Sequence, residues 1–169
     1  MSPTALAGLD LDWVTPGLAV GGAFPTSAIP TLAAGGVGAV IDLRSEAKDD
    51  AAGLARAGIA LLHLPTQDHC ALSQRDMDAG VAFALPRLGD GGVLVHCREG
   101  IGRSVTLCLC ILTATGMTPL QAMRTIKAAR VWASPSPPQF DAFATWLGRR
   151  GIEAPPFQAL AAIAYSHLG

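Results

Sequence analysis

The stretch that decides the fold is GVLVHCREGIGRS, residues 92–104, in which an apolar run leads directly into a loop with two glycines. The run from Gly92 has the length of a buried strand, and a helix can begin near position 102. In open parallel sheets, ligands bind outside the carboxyl ends of the strands. We therefore expect Cys97, which ends this run, to lie at a functional site.

Three further apolar runs have strand length, namely LAVGG from Leu18, GAVIDL from Gly38 and IALLHL from Ile59. Helix-length segments alternate with these runs, at residues 29–34, 47–57 and 73–88. After the fourth run the pattern is wholly helical, at residues 102–115, 118–130, 138–149 and 156–167. The order predicts an α/β fold with a central, mostly parallel sheet of about four to five strands and helices on both faces.

Length and composition predict one compact domain. The chain has 169 residues, of which 50% are hydrophobic and 15% charged, which suits one core better than two. We expect a single catalytic domain over residues 1–169, with a core at about 17–150 and a packed C-terminal helix at about 155–168.

Charge and cysteine usage narrow the function classes. A net charge of −1 gives no electrostatic reason to expect nucleic-acid or acidic-membrane binding, so any anionic ligand must be recognised locally. The charge-free stretches 13–41 and 104–123 are interrupted by glycine, proline or threonine, and neither predicts a membrane span. The four cysteines form no CxxC pair and the N-terminus does not resemble a signal peptide, which favours a cytoplasmic protein.

The loop after Cys97 has the composition of an anion-binding site. Gly100 and Gly102 permit a tight curl that turns successive N–H groups inward, and the start of a helix adds its positive end. Arg103 can add a bidentate fork to two phosphate oxygens. The predicted phosphate-binding residues are Arg98, Glu99, Gly100, Ile101, Gly102 and Arg103.

The same N–H donors, helix N-terminus and arginine also act on the sulfur of Cys97. A thiol among N–H donors, near an arginine and a helix N-terminus, loses its proton more readily than a free cysteine, and the thiolate is the nucleophile. Cys97 is therefore expected to attack phosphorus in a bound phosphate ester and form a cysteinyl-phosphate intermediate.

These residues also resemble a known family. HCREGIGRS at residues 96–104 fits the HCx5R[S/T] signature loop of the protein tyrosine phosphatase superfamily. VIDLRSE from Val40, LPTQDHCALS from Leu64 and RVWASPSPPQFDAFATWL from Arg130 resemble segments of its dual-specificity branch. The resemblance covers residues 17–147 and implies the phosphatase-like fold, a phosphate loop between the last core strand and a buried helix, and no cofactor or metal.

The resemblance also implies roles for individual residues. Asp68, which follows the run from Ile59, is the expected general acid, ahead of Asp76 and Asp78 in a predicted helix. Ser104 is expected to hydrogen-bond the cysteine sulfur, and Gln139 is a candidate for positioning water. His96 precedes the nucleophile on a strand and so points to the other face, which predicts loop ordering rather than base catalysis.

Several functions remain open at this stage. The first is hydrolysis of phosphotyrosine, with phosphoserine and phosphothreonine, in a phosphorylated protein or peptide, and the loop should also bind phosphate, vanadate or tungstate. The alternatives are a phosphoinositide or RNA 5′-phosphate phosphatase, disfavoured because Glu99 offsets Arg98, and a catalytically silent phospho-binding module. Cys70 is a candidate for a protective disulfide with Cys97, with an ordinary loop cysteine as the alternative. Cys108 and Cys110 are expected in the core.

Overall fold

The computed structural model describes residue 6 and residues 8–169. The five strands are β1 (Leu11–Thr15), β2 (Leu18–Gly21), β3 (Val37–Arg44), β4 (Ala60–Thr66) and β5 (Gly92–His96). The helices are α1 (Ile29–Ala34), α2 (Ala51–Arg56), α3 (Gln74–Ala84), α4 (Arg103–Ala114), α5 (Pro119–Ala129), α6 (Pro137–Arg149) and α7 (Phe157–Ala164).

The five strands form one sheet in the order β1-β2-β5-β3-β4. Strands β2, β5, β3 and β4 run parallel to their neighbours, and β1 pairs antiparallel with β2 at the edge. This confirms the predicted α/β class. Strand β1 is an addition to the predicted strands, and it brings the segment before β2 alongside the core.

Alternate residues of the central strands face opposite sides of the sheet. Val93 and Val95 of β5 pack in the cluster that contains α3 to α7, whereas Leu94 packs with α1 and α2. Both faces are therefore covered by helices, which explains why the strand sequences are continuously apolar. Burying each leucine or isoleucine of such a core contributes about 1.5–3 kcal/mol.

Two predicted helices are shorter than expected, for local reasons. Helix α2 begins at Ala51 rather than near position 47, because the Asp50 carboxylate caps it by accepting from Gly53 N at 3.0 Å. Helix α3 ends at Ala84 and continues as a 3-10 turn over Leu85–Arg87, where Pro86 lacks a backbone donor. The C-terminal helix likewise divides into α7 and a 3-10 turn at Ser166–Leu168.

The segment between α5 and α6, residues 130–136, is a loop that contains Pro135. It hydrogen-bonds the loop after β5 through Ser134 N, which donates to Ile101 O at 3.0 Å. Within the part of the chain that the structure describes, no helix combines the length and apolar character that a membrane crossing requires.

Candidate active site

The site lies at the edge of the sheet where three adjacent parallel strands end. Cys97 follows β5, Glu46 follows β3 by two residues, and Asp68 follows β4 by two residues. Because β5, β3 and β4 are neighbours with parallel register, their carboxyl ends bring these three side chains to one place.

The phosphate loop, residues 98–103, has its carbonyl oxygens turned away from the site. Four consecutive carbonyls accept hydrogen bonds from groups outside the loop: Arg98 O from Ala23 N (2.9 Å), Glu99 O from Arg130 Nη2 (2.8 Å), Gly100 O from Arg130 Nε (2.7 Å) and Ile101 O from Ser134 N (3.0 Å). In a trans peptide the N–H points opposite to the preceding C=O. The N–H groups of residues 99–102 therefore face inward, where an anion can bind.

Glycine is required at one position of the phosphate loop and is closely packed at a second. Gly100 has a φ of +69°, and a Cβ there would lie 2.6 Å from Arg130 Nη2 and 2.5 Å from the Gly21 carbonyl carbon. A Cβ on Gly102 would lie 2.7 Å from Gln139 Oε1. Gly102 also precedes α4 without a side-chain cap, so the positive end of that helix is left open toward the loop.

The Cys97 sulfur lies inside this ring of donors. Gly100 N donates to Cys97 Sγ at 3.2 Å, and Ser104 Oγ lies 3.3 Å from the same sulfur. The residue is 3% exposed. Hydrogen bonds of this kind favour the ionised form of a thiol, and Ser104 stands where it can donate to a departing thiolate.

Arg103 is held on one edge and free on the other. Nη1 donates to Glu46 Oε1 at 2.7 Å and to Thr66 O at 2.8 Å, and Nη2 donates to Glu46 Oε2 at 2.9 Å. The side chain is 1% exposed, and its Nε is a buried donor with no partner among the residues that the structure describes. A buried donor that lacks a partner is costly unless a ligand supplies one. Arg103 is thus oriented in advance for an oxyanion.

Glu46 is a site residue that the sequence analysis did not select. The hydrogen bond from Arg103 is the main cause that lowers the pKa of Glu46 to about 2, outweighing the effect of partial burial. The same bond raises the pKa of Arg103. A sequence signal existed, because Glu46 follows a strand end in the segment that resembles the phosphatase family, but its partner is 57 positions away.

Replacing Glu46 with glutamine is expected to lower kcat/KM for p-nitrophenyl phosphate about tenfold. A neutral amide has one acceptor oxygen in place of two, so Arg103 loses its forked partner and part of its orientation. Steady-state kinetics with tungstate inhibition measure the effect. Glu153→Gln removes an exposed carboxylate elsewhere and serves as the matched control.

A comparison of wild type with Glu46→Gln at different pH values tests the ion pair between Glu46 and Arg103. Because folding lowers the pKa of Glu46 from 4.5 to about 2, its contribution to stability is complete above pH 4.5 and is lost as the pH falls toward 2. The difference in free energy of unfolding between wild type and Glu46→Gln should therefore shrink over that window. A difference that is constant from pH 6 to about pH 2.5 would contradict the ion pair.

Asp68, the predicted general acid, lies near Arg103 at the mouth of the site. Asp68 Oδ1 is 3.4 Å from Arg103 Nη2, and its side chain is 45% exposed. His69 N donates to Asp68 Oδ1 at 2.9 Å, and His69 has a φ of 64°, a conformation that few residues other than glycine adopt. The carboxylate is thus presented toward the loop rather than buried.

The segment that carries Asp68 is attached to the start of α6. Ser136 Oγ donates to His69 O at 3.2 Å, and Gln139 Nε2 donates to Cys70 O at 3.1 Å. Gln139 Oε1 accepts from Ser136 N at 2.8 Å. Gln139 therefore stands on the wall of the site, as a water-positioning residue would, but these contacts give it a clear role in fixing the acid loop.

A buried charged cluster lies beneath the nucleophile. His96 Nε2 is 2.6 Å from Asp49 Oδ2, and His96 Nδ1 is 3.1 Å from Cys97 O. The Arg44 guanidinium donates to both Asp42 and Asp49. Burial alone would raise the pKa of Asp42, but hydrogen bonds from Arg44 and the charge of His96 outweigh it and lower that pKa. His96 thus contacts Asp49 and the Cys97 carbonyl, and loop ordering stays the prediction for this residue.

This cluster also bears on the expectation that the protein needs no metal. Asp42, Asp49 and His96 offer ligand atoms within 4.8 Å of one another. The Arg44 guanidinium donates to both carboxylates and so occupies their oxygens, and its positive charge repels a second cation. We assign the cluster to the support of the Cys97 backbone.

The remaining cysteines differ in exposure, and the two weaker acid candidates lie in a helix. Cys70 is an exposed free thiol, whereas Cys108 and Cys110 are buried in α4, where burial raises the pKa of both thiols. Asp76 and Asp78 lie within α3, as predicted.

A pocket of about 400 Å³ opens over the sulfur. Its lining consists of Asp68, His69, Cys97, Arg98, Glu99, Ile101, Gly102, Ser134, Ser136 and Gln139. A larger groove of about 710 Å³ lies between α4, α5 and residues 152–156 and contains none of these groups. The smaller pocket contains the candidate nucleophile Cys97 and the candidate acid Asp68, and the larger groove contains neither.

A thiol and an arginine on one anion-binding loop, at the end of a parallel sheet, define a cysteine-dependent phosphatase fold. The chain belongs to the family described as PTP-SAK, a Swiss Army Knife protein DSP-PTPase phosphatase domain, whose model matches residues 10–147. This confirms the resemblance to the dual-specificity branch and extends it to include β1.

Known proteins and solved structures agree with this membership. Mouse dual specificity protein phosphatase 15 is 42% identical over 52 residues, a segment that spans 30% of this chain and only 22% of that protein. The structure of Tk-PTP in the active form has a TM-score of 0.76 at 21% identity and covers 83% of this chain and 97% of its own. Human DUSP28 has a TM-score of 0.74 at 23% identity, covering 89% and 99%. At these identities the two structures show the shared fold.

Proposed function

We propose that the protein is a cysteine-dependent phosphatase that hydrolyses phosphomonoesters on proteins or peptides, namely phosphotyrosine together with phosphoserine and phosphothreonine. The observation that supports this most strongly is Arg103, whose buried Nε has no partner among the described residues while its other edge is fixed by Glu46. The whole chain would form this single catalytic domain. Phosphate, vanadate and tungstate are the expected small ligands of the loop.

The first chemical step forms a bond between Cys97 Sγ and phosphorus as the bond from phosphorus to the ester oxygen breaks. The inward N–H groups and Arg103 stabilise the charge on the equatorial oxygens. Asp68 gives its proton to the leaving oxygen, so that an alcohol or phenol departs. The product is the cysteinyl-phosphate and an ionised Asp68.

The second step returns the enzyme to its starting state. A water oxygen attacks phosphorus, the Asp68 carboxylate takes the proton of that water, and the bond between sulfur and phosphorus breaks. Cys97 leaves as a thiolate that Ser104 and the Gly100 N–H stabilise. Inorganic phosphate then dissociates.

The charges around the pocket favour a protein substrate over a polyanionic one. Among the lining residues that the structure describes, Arg98 is the one lysine or arginine, whereas Asp68 and Glu99 are both acidic. A phosphoinositide or an RNA 5′ end carries several negative charges and needs a more basic surround. A cytoplasmic location is part of the proposal, supported by the four free cysteines.

A substrate panel tests this choice. We expect phosphate release from phosphotyrosine and phosphothreonine peptides with kcat/KM at least tenfold above that for soluble phosphoinositides or a 5′-phosphorylated RNA oligomer. Malachite green detection of phosphate under matched ionic strength measures all four. Faster turnover of the phosphoinositide or the RNA would reverse the assignment.

Replacing Asp68 with asparagine is expected to lower kcat about 10²-fold or more on phosphoserine peptides, because an alkoxide leaving group needs the proton most. The effect on p-nitrophenyl phosphate should be smaller, because its leaving group is already stable. Stopped assays with the two substrates measure both effects.

The matched control is Asp76→Asn, which removes a carboxylate from the first turn of α3 outside the pocket lining. It should keep the wild-type kcat on both substrates. A wild-type kcat on phosphoserine peptides in Asp68→Asn would show that another group supplies the proton.

A further inference from the structure

Arg130 connects the phosphate loop to the edge strand. It is the C-cap residue that follows α5, and it is 7% exposed. Its Nε donates to Gly100 O at 2.7 Å, and its Nη2 donates to Glu99 O at 2.8 Å. One guanidinium therefore fixes two consecutive peptides, whose N–H groups belong to Gly100 and Ile101. The first of these donates to the nucleophile.

The other side of Arg130 is held by two aspartates. Nη2 donates to Asp10 Oδ1 at 2.9 Å, and Nη1 donates to Asp12 Oδ2 at 3.0 Å. Asp12 lies in β1, and Asp10 lies just before this strand. Two carboxylates outweigh one guanidinium, so Arg130 adds no net positive charge that could attract a phosphate. Its effect on the loop must then be geometric rather than electrostatic.

The contact is also sterically close. A Cβ on Gly100 would lie 2.6 Å from Arg130 Nη2, so no side chain fits between this arginine and the loop. Lysine in place of Arg130 could not serve the same acceptors, because one ammonium on a flexible chain lacks the planar arrangement of donors. The position requires the shape of arginine and not only its charge.

We propose that Arg130 is a positioning residue for the phosphatase reaction, holding two peptides of the phosphate loop with their N–H groups inward, and that Asp10 and Asp12 hold Arg130 in turn. The edge strand is then part of the catalytic apparatus, although it is remote in sequence and carries no group that touches substrate. This inference rests on the proposed phosphatase function, but the geometry that it describes is testable without turnover.

The test uses the full chain with Arg130→Lys. We expect tungstate affinity, measured by calorimetry, and kcat/KM for p-nitrophenyl phosphate each to fall about 10²-fold, the usual cost of misdirecting an oxyanion donor. A purely structural role would lower the melting temperature. It would leave tungstate affinity and kcat/KM unchanged at temperatures below that melting temperature.

Arg149→Lys is the matched control, because Arg149 bonds Asp78 at 2.7 Å on the surface, away from the phosphate loop. It should keep wild-type tungstate affinity and kcat/KM. Wild-type values in Arg130→Lys would overturn the inference.

A second variant covers failure of Arg130→Lys to fold. The Asp10→Asn/Asp12→Asn double variant alters side chains that are 60% and 44% exposed, so folding should survive. Tungstate affinity should fall several-fold, and an unchanged affinity would contradict the inference. If the wild-type protein binds tungstate but hydrolyses no ester, the proposed function fails, whereas a loss of affinity in these variants still supports the role of Arg130.

Discussion

Replacing Cys97 with serine will lower kcat for p-nitrophenyl phosphate by about 10⁴-fold or more. The Gly100 N–H and the Ser104 hydroxyl that contact the sulfur can stabilise a thiolate, but an alkoxide is far harder to form. Tungstate affinity should fall much less, because the inward N–H groups and Arg103 are unchanged. Release of p-nitrophenol and calorimetry measure the two quantities.

Cys70→Ser is the matched control for this prediction. Cys70 is an exposed thiol just past Asp68, and its loss should leave kcat unchanged in reducing buffer. Equal rates for wild type and Cys97→Ser would remove Cys97 as the nucleophile. If neither protein turned over while phosphopeptides still bound, the silent phospho-binding module would become the better description.

Replacing Arg103 with lysine will lower kcat/KM by about 10²- to 10³-fold. Lysine keeps the positive charge but cannot bond Glu46 and the Thr66 carbonyl while also offering a separate donor to the phosphate. The loss should be larger in kcat than in tungstate affinity, because charge on the equatorial oxygens is best matched in the transition state. Steady-state kinetics and calorimetry on the same preparation measure this.

Arg75→Lys is a matched control, since Arg75 is an exposed arginine in α3 outside the pocket lining. It should behave as wild type. A wild-type kcat/KM in Arg103→Lys would mean that charge alone suffices, and that the forked geometry with Glu46 has no catalytic value.

The central fold was predictable because most of its strands appear in the sequence as apolar runs of strand length. Strands β2, β3 and β5 are largely apolar runs because they are buried on both faces, and the edge strand β4 is largely apolar although it is only partly buried. Strand β1 was missed because LDWVT at the sheet edge is only partly buried, includes an aspartate and has an irregular register with β2. Edge strands of this kind leave a weak pattern, yet this one carries Asp12, which helps to hold the phosphate loop through Arg130.

The site was predictable where its residues are close in sequence. Cys97, Arg103 and Ser104 lie on one strand, loop and helix start, so local rules relate them. Glu46 and Arg130 were not selected, because they meet their partners across 57 and 30 positions. Such contacts depend on which strands are neighbours, and the apolar pattern alone does not give that order.

The most direct test of the account is a crystal structure of the protein soaked with tungstate. We predict the metal in line with Cys97 Sγ, with its oxygens accepting from the N–H groups of residues 99–102 and from Arg103 Nε, while Arg103 still bonds Glu46. A tungstate bound elsewhere, or loop carbonyls that turn toward the pocket, would contradict the account.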